Sequence, residues 1–149
     1  MSTLLERLDQ AFKESLKGQQ EVALSTLRML RTALKNRQVE LRRPLTDAEV
    51  QAVIAAQVKQ RREAIAEYTK AGRMDLAHKE EEELRFLLSF LPPQLSEAEL
   101  EAEIDRIIAE VGASSAKDLG KVMKAAMAQL TGRAEGKLVQ EIVRRRLGS

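Results

Sequence analysis

Cysteine is absent and histidine occurs once, at His78. Without thiols there is no disulfide framework and no thiolate metal site. A single imidazole excludes a multi-histidine zinc site and a two-histidine iron site. No metal and no cofactor is therefore expected. Aromatic residues are few: Phe12, Tyr68, Phe86 and Phe90. The three phenylalanines fit helix core positions, which leaves no platform for stacking bases. Any RNA recognition would then rest on shape and backbone. Three prolines and seven glycines are too few turn signals for a sandwich or barrel. No apolar run approaches about 18 residues, so nothing reads as a membrane span. The opening MSTLLERLDQ carries acids early and has no apolar centre, unlike a signal peptide. These absences lead to the expectation of a soluble, cytoplasmic, monomeric protein with no membrane partner.

What is present is helical in character. Ala, Glu, Lys, Leu and Arg supply 84 of the 149 residues, a composition typical of long helices. Leu, Ile, Val and Phe number 39, enough for a packed core. Punctuation residues divide the chain into seven helices. The first runs from near Thr3 to Lys17, with Gly18 as a left-handed cap. The second runs from about Gln20 to Leu41, carries Leu27, Leu30, Leu34 and Leu41 on one stripe, and is stopped by Pro44. Thr46 and Glu49 form a capping box for a third, ending at Gly72. The fourth spans Met74 to Phe90. Pro92-Pro93 is the strongest boundary, because neither residue suits a helix interior and each restricts the residue before it. Ser96 and Glu99 cap the fifth helix, which ends at Gly112. Ser115 with Asp118 opens the sixth, to about Thr131, and the seventh runs from about Ala134 to Leu147. The expected architecture is all-α, with a four-helix N-terminal part over 1–92 and a small three-helix domain over 93–149.

Charge is unevenly placed. Residues 1–74 hold 14 basic and 9 acidic side chains, residues 75–110 hold 3 and 11, and residues 111–149 hold 8 and 3. Two basic regions flanking an acidic one point to a polyanionic partner, with solvated helix faces as the alternative. On helix six, Leu119, Val122, Met123, Ala126, Met127 and Leu130 share one side. Lys117, Lys121, Lys124 and Ala128 share the other, within about 60°. Gly120 inside this helix suits a place where a neighbouring backbone comes close. Arg133 and Lys137 bracket the turn into helix seven, whose free N–H groups could hold a phosphate. Gly132 to Lys137 is not a P-loop: the glycine spacing is one short, Leu138 replaces Ser or Thr, and no strand precedes it. Arg144 points away from the apolar side of helix seven. Arg28, Arg31, Lys35 and Arg42 form a further basic stripe on helix two.

No catalytic constellation is legible. His78 sits among acidic residues as a surface side chain. Glu80-Glu81-Glu82-Glu83 winds around a helix, so its carboxylates do not converge. There is no nucleophile–base pair and no phosphate loop.

Several segments together resemble the YqeY family. They are Leu27-Arg28-Met29-Leu30, Arg43-Pro44-Leu45-Thr46, Lys59-Gln60-Arg61-Arg62-Glu63, Ala71-Gly72-Arg73, Leu91-Pro92, Leu119-Gly120-Lys121-Val122-Met123 and Gly132 to Val139. The C-terminal part is similar to the tail domain of GatB, a subunit of the tRNA-dependent amidotransferase, and to a module attached to some glutaminyl-tRNA synthetases. Where that pattern has Asp or Asn, this sequence has Glu135, a longer and poorer cap. The resemblance implies an all-helical bacterial protein that binds tRNA without catalysis. The partner proteins it implies are the amidotransferase or an aminoacyl-tRNA synthetase. It makes Lys121, Lys124, Arg133, Lys137 and Arg144 the first candidates for tRNA contact, and Arg28, Arg31, Lys35 and Arg42 the second. A protein–protein adaptor is the alternative. An amidotransferase activity, carbon–nitrogen ligation with glutamine as amide donor, is the third reading; the GatB catalytic domain has no counterpart in the chain.

Overall fold

A computed structural model describes residues 3–148; Met1 and Ser2, the first residues of the segment read against a signal peptide, lie outside it. It contains seven α-helices and, among the described residues, no strand. Among the described residues, no helix is long and apolar enough to cross a membrane. The chain forms two compact units, Met1–Leu91 and Pro92–Ser149, and no helix runs through residues 89–96 between them.

The first unit holds α1 (Leu4–Lys17), α2 (Glu21–Leu41), α3 (Asp47–Lys70) and α4 (Met74–Leu88). α1 and α3 open with reciprocal capping boxes, Thr3 with Glu6 and Thr46 with Glu49. Each box satisfies backbone donors that the first turn leaves free. The Asp47 carboxylate accepts a hydrogen bond from the Leu4 N–H at 3.3 Å and so ties the start of α1 to the start of α3. Leucines spaced three and four apart on α2 fall on one stripe. Leu27, Leu30 and Leu34 join Leu8, Val50, Ile54 and Leu87 in a single apolar core. Each fully buried side chain of this size contributes about 1.5–3 kcal/mol.

The second unit holds α5 (Glu97–Val111), a 3-10 turn over Ala116–Asp118, α6 (Leu119–Leu130) and α7 (Gly136–Leu147). Ser96 and Glu99 cap α5 reciprocally. Leu100, Ile104 and Ile107 of α5, Val122, Ala126 and Leu130 of α6, and Val139, Ile142, Val143 and Leu147 of α7 form its core.

Several sequence expectations are corrected in detail. Gly18 is right-handed, φ −85°, and the left-handed residue is Gln19, φ 51°. The turn reverses one residue later because the Gly18 N–H still bonds back to the Glu14 carbonyl. α2 ends at Leu41 as expected, but what stops it is the left-handed C-cap Arg42, φ 56°, before Pro44 is reached. α4 stops at Leu88, short of Phe90. Asp118 accepts hydrogen bonds from the Ser114 and Ser115 N–H groups, at 2.9 and 3.3 Å. The Ser115–Asp118 cap thus forms as expected, but it opens a 3-10 turn, and α6 starts only at Leu119. α7 starts at Gly136 rather than Ala134, because the Ala134 N–H bonds back to the Leu130 carbonyl.

Candidate nucleic-acid interface

The second unit keeps its basic side chains in two sets. One set is consumed by carboxylates. Arg145 reaches Glu101 at 3.4 Å, and Arg146 reaches Asp105 at 3.1 Å and Glu101 at 3.6 Å. Arg106 is held by Glu103 and Glu110 on its own helix. Glu97, Glu101 and Asp105, spaced four apart on one side of α5, face the last turn of α7, which is why Arg145 and Arg146 are neutralised.

The other set makes no ion pair among the described residues. Lys121 and Lys124 lie one turn apart on α6, and both are exposed. Lys137, the second residue of α7, and Arg144, two turns on, are exposed on one side of that helix; Glu141 lies between them. Arg133 differs from the sequence expectation. It is half-buried in the turn, where its carbonyl accepts from the Leu95 N–H and its N–H donates to the Leu130 carbonyl, both at 2.9 Å. Hydrogen bonds to Ser96, and to a lesser degree the charge of Arg133, hold the Glu99 carboxyl below its ordinary range. The turn is fixed further by Gly132, φ 83°, whose carbonyl accepts from Gln94 at 2.7 Å. Thr131 also bonds back to the Met127 carbonyl. The cations are thus presented on a braced element.

Gly120 is exposed, and a Cβ added to it would meet nothing within 4 Å. The expectation that a neighbouring backbone of this chain packs there is corrected. The outer face of α6 and of the 3-10 turn before it is low and cationic: Lys117 on the turn, then Gly120, Lys121, Lys124 and Ala128 on α6. Met123 and Met127 pack against the core of this unit. Glu135 makes no side-chain cap bond at the start of α7. The first N–H groups of that helix keep their partial positive charge beside Lys137.

Sequence reasoning missed a charged cluster in the first unit. Arg61 on α3 is 9% exposed and Glu83 on α4 is 5% exposed. Arg61 meets Glu83 at 2.9 Å and Glu80 at 3.0 Å and donates to the Met29 sulfur at 3.2 Å. Burial pushes the Glu83 carboxyl up, against the pull of Arg61. Of the four acids of this run, Glu83 is therefore inside and Glu80 half-buried beside it. The signal was present in the sequence: Val50, Ile54 and Val58 set the buried stripe of α3, and Arg61 continues it. No group of His, Cys, Asp and Glu among the described residues could hold a metal.

A family model described as Yqey-like protein matches residues 5–147. The chain belongs to the YqeY family. An uncharacterised protein of Schizosaccharomyces pombe is 34% identical over 83 residues, 56% of this YqeY chain and 68% of that protein. Two fungal proteins named altered inheritance of mitochondria protein 41, mitochondrial, also match. The one from Pyrenophora tritici-repentis is 27% identical, covering 95% of this chain and 82% of its own. The one from Eremothecium gossypii is 30% identical, covering 72% of this chain and only 60% of its own. These eukaryotic relatives, two of them named for mitochondria, overturn the expectation of a bacterial, cytoplasmic protein. The bacterial part of that expectation came from the resemblance; the cytoplasmic part rested on missing spans and signals, and such absences do not separate the cytoplasm from a mitochondrial interior.

Proposed function

We propose that this YqeY-family chain is a non-catalytic tRNA-binding module, whose contact surface is the cationic face of α6 and the start of α7. The observation that carries the reading is the sorting of charge in the second unit. Arg106, Arg145 and Arg146 are engaged by carboxylates, whereas Lys121, Lys124, Lys137 and Arg144 are left for a partner. Unpaired cations on a braced, low-relief surface suit phosphate contact, where shape and backbone are read rather than splayed bases. The sequence motifs by which this part resembles the GatB tail domain support the same reading. Arg133 contributes less, being half-buried near Glu99.

The test is tRNA binding to the full chain across a salt series, with tRNA prepared from mitochondria included because relatives carry that name. Each phosphate contact releases counterions, so affinity falls with salt with a slope of about −0.7 to −0.9 per contact. Replacing Lys121, Lys124, Arg133 and Lys137 together by Gln lowers affinity and flattens the slope while melting is nearly unchanged. A folded variant with wild-type affinity and slope would rule this surface out. A protein–protein adaptor would show no salt-dependent RNA binding at all.

A further inference from the structure

We propose that the α2 face carrying Arg28, Arg31, Lys35 and Arg42 is a second binding surface for a nucleic-acid phosphodiester backbone, independent of α6 and α7. At 100° per residue these four side chains lie within about 60° of one another, and at 1.5 Å per residue they span about 21 Å of helix. All four are exposed, and none makes an ion pair among the described residues. The carboxylates of α2 do not compensate them: Glu21 is its first residue, and Glu40 is held by Arg37 at 2.8 Å.

One cation of the stripe is held in place by a ring, and another is kept at a cost to the fold. The Arg31 guanidinium lies over the Phe12 ring of α1, 4.3 Å from its centroid. Its conformation is fixed before a ligand arrives, so less side-chain freedom is lost on binding. Arg42 occupies a left-handed C-cap at φ 56°, where α5 and α7 use Gly112 and Gly148. Glycine suits that conformation better than any side chain that carries a Cβ. Retaining a cation there extends the stripe; the helix dipole recovers only part of the cost.

The partner is a nucleic acid rather than a lipid surface. Leu27, Leu30 and Leu34 of α2 are buried in the core; on the basic face Val39 is the exposed large apolar side chain, and Leu24, one turn before Arg28, is half-buried. A helix that inserts into a bilayer interface needs its apolar side free.

The experiment uses the full chain, with bulk tRNA and a duplex DNA as probes, from about 50 to 200 mM salt. Arg42→Gly is expected to melt no lower than wild type and to reduce the salt slope by about one. The triple variant Arg28→Gln, Arg31→Gln, Lys35→Gln is expected to reduce it by about three. With Lys121, Lys124, Arg133 and Lys137 replaced by Gln, binding through α2 should persist and disappear when the α2 changes are added. If the triple variant does not fold, Arg42→Gly and Arg28→Gln alone carry the test. Wild-type slopes in the folded α2 variants would overturn the proposal. So would complete loss of binding on the α6–α7 changes alone, an outcome that leaves the function proposed above standing. Binding of anionic phosphatidylserine vesicles through α2, with neither nucleic acid bound, would overturn it as well.

Discussion

Arg61 shows how one residue can govern the core of the first unit. Its charge is taken out of water, faces two carboxylates, and leaves its Nε without a partner. Removing one member of such a cluster strands the others. Arg61→Met should therefore cost about 3–5 kcal/mol, measured by urea unfolding. Glu83→Gln should cost much less, because an amide oxygen still accepts from Arg61 and the desolvated charge is gone. Equal losses in the two variants would show that the cluster acts through packing alone. The sequence reading placed Glu80 to Glu83 in solvent because it treated the run by itself. The partner that draws Glu83 inward lies 22 positions away, on the stripe set by Val50, Ile54 and Val58, and local spacing does not reveal that pairing.

The helices were largely legible because their ends are written in short-range chemistry. Thr46 with Glu49 and Ser96 with Glu99 cap as their spacing predicts; Thr3 with Glu6 has the same spacing and was passed over. Ends set by backbone choices were harder, as Gly18 and Gly136 show. At the α3 cap, Arg43 meets Glu49 at 2.7 Å. The Arg43 hydrogen bond, followed by that of the Thr46 backbone, draws the Glu49 carboxyl from 4.5 down to about 2. A carboxyl depressed in the folded state stabilises above its unfolded pKa and loses that contribution as pH falls through its folded value. Wild-type melting should therefore drop more between pH 4.5 and 2 than that of Glu49→Gln, as followed by circular dichroism. Parallel profiles would remove Glu49 from the acid response. On α6, Gly120 stands in open space, so Gly120→Ala should stabilise by up to about 1 kcal/mol in thermal melts. A loss of stability instead would mean that the helix needs its glycine.

At the scale of the whole molecule, the chain has two apolar cores, each closed by its own helices. The second unit is small for an independent core, and small cores are marginal. Native-state hydrogen exchange should sort the slowest amides into two classes. Those around Ile104 and Ile142 should open at lower free energy than those around Leu27 and Ile54. One common opening energy would show that the units unfold together. The all-helical class was legible from composition and periodicity, and the family from motifs spread along the chain. The candidate interface was legible only as a surplus of cations. Separating free lysines from arginines already engaged by α5 requires knowing which helix faces which. Compartment was not legible, since it was inferred from missing signals.

The first unit also sets a schedule for synthesis. Its core joins Leu4 and Leu8 at one end of the unit to Leu87 and Phe90 at the other. A ribosome adds roughly 5–20 residues each second, so α1 emerges several seconds before its last packing partner. During that interval α1, α2 and α3 can pack on one another, but the sides of α2 and α3 that meet α4 must wait for it. The nascent chain therefore exposes apolar surface until Phe90 clears the exit tunnel, and this is the interval in which a chaperone would have most to hold.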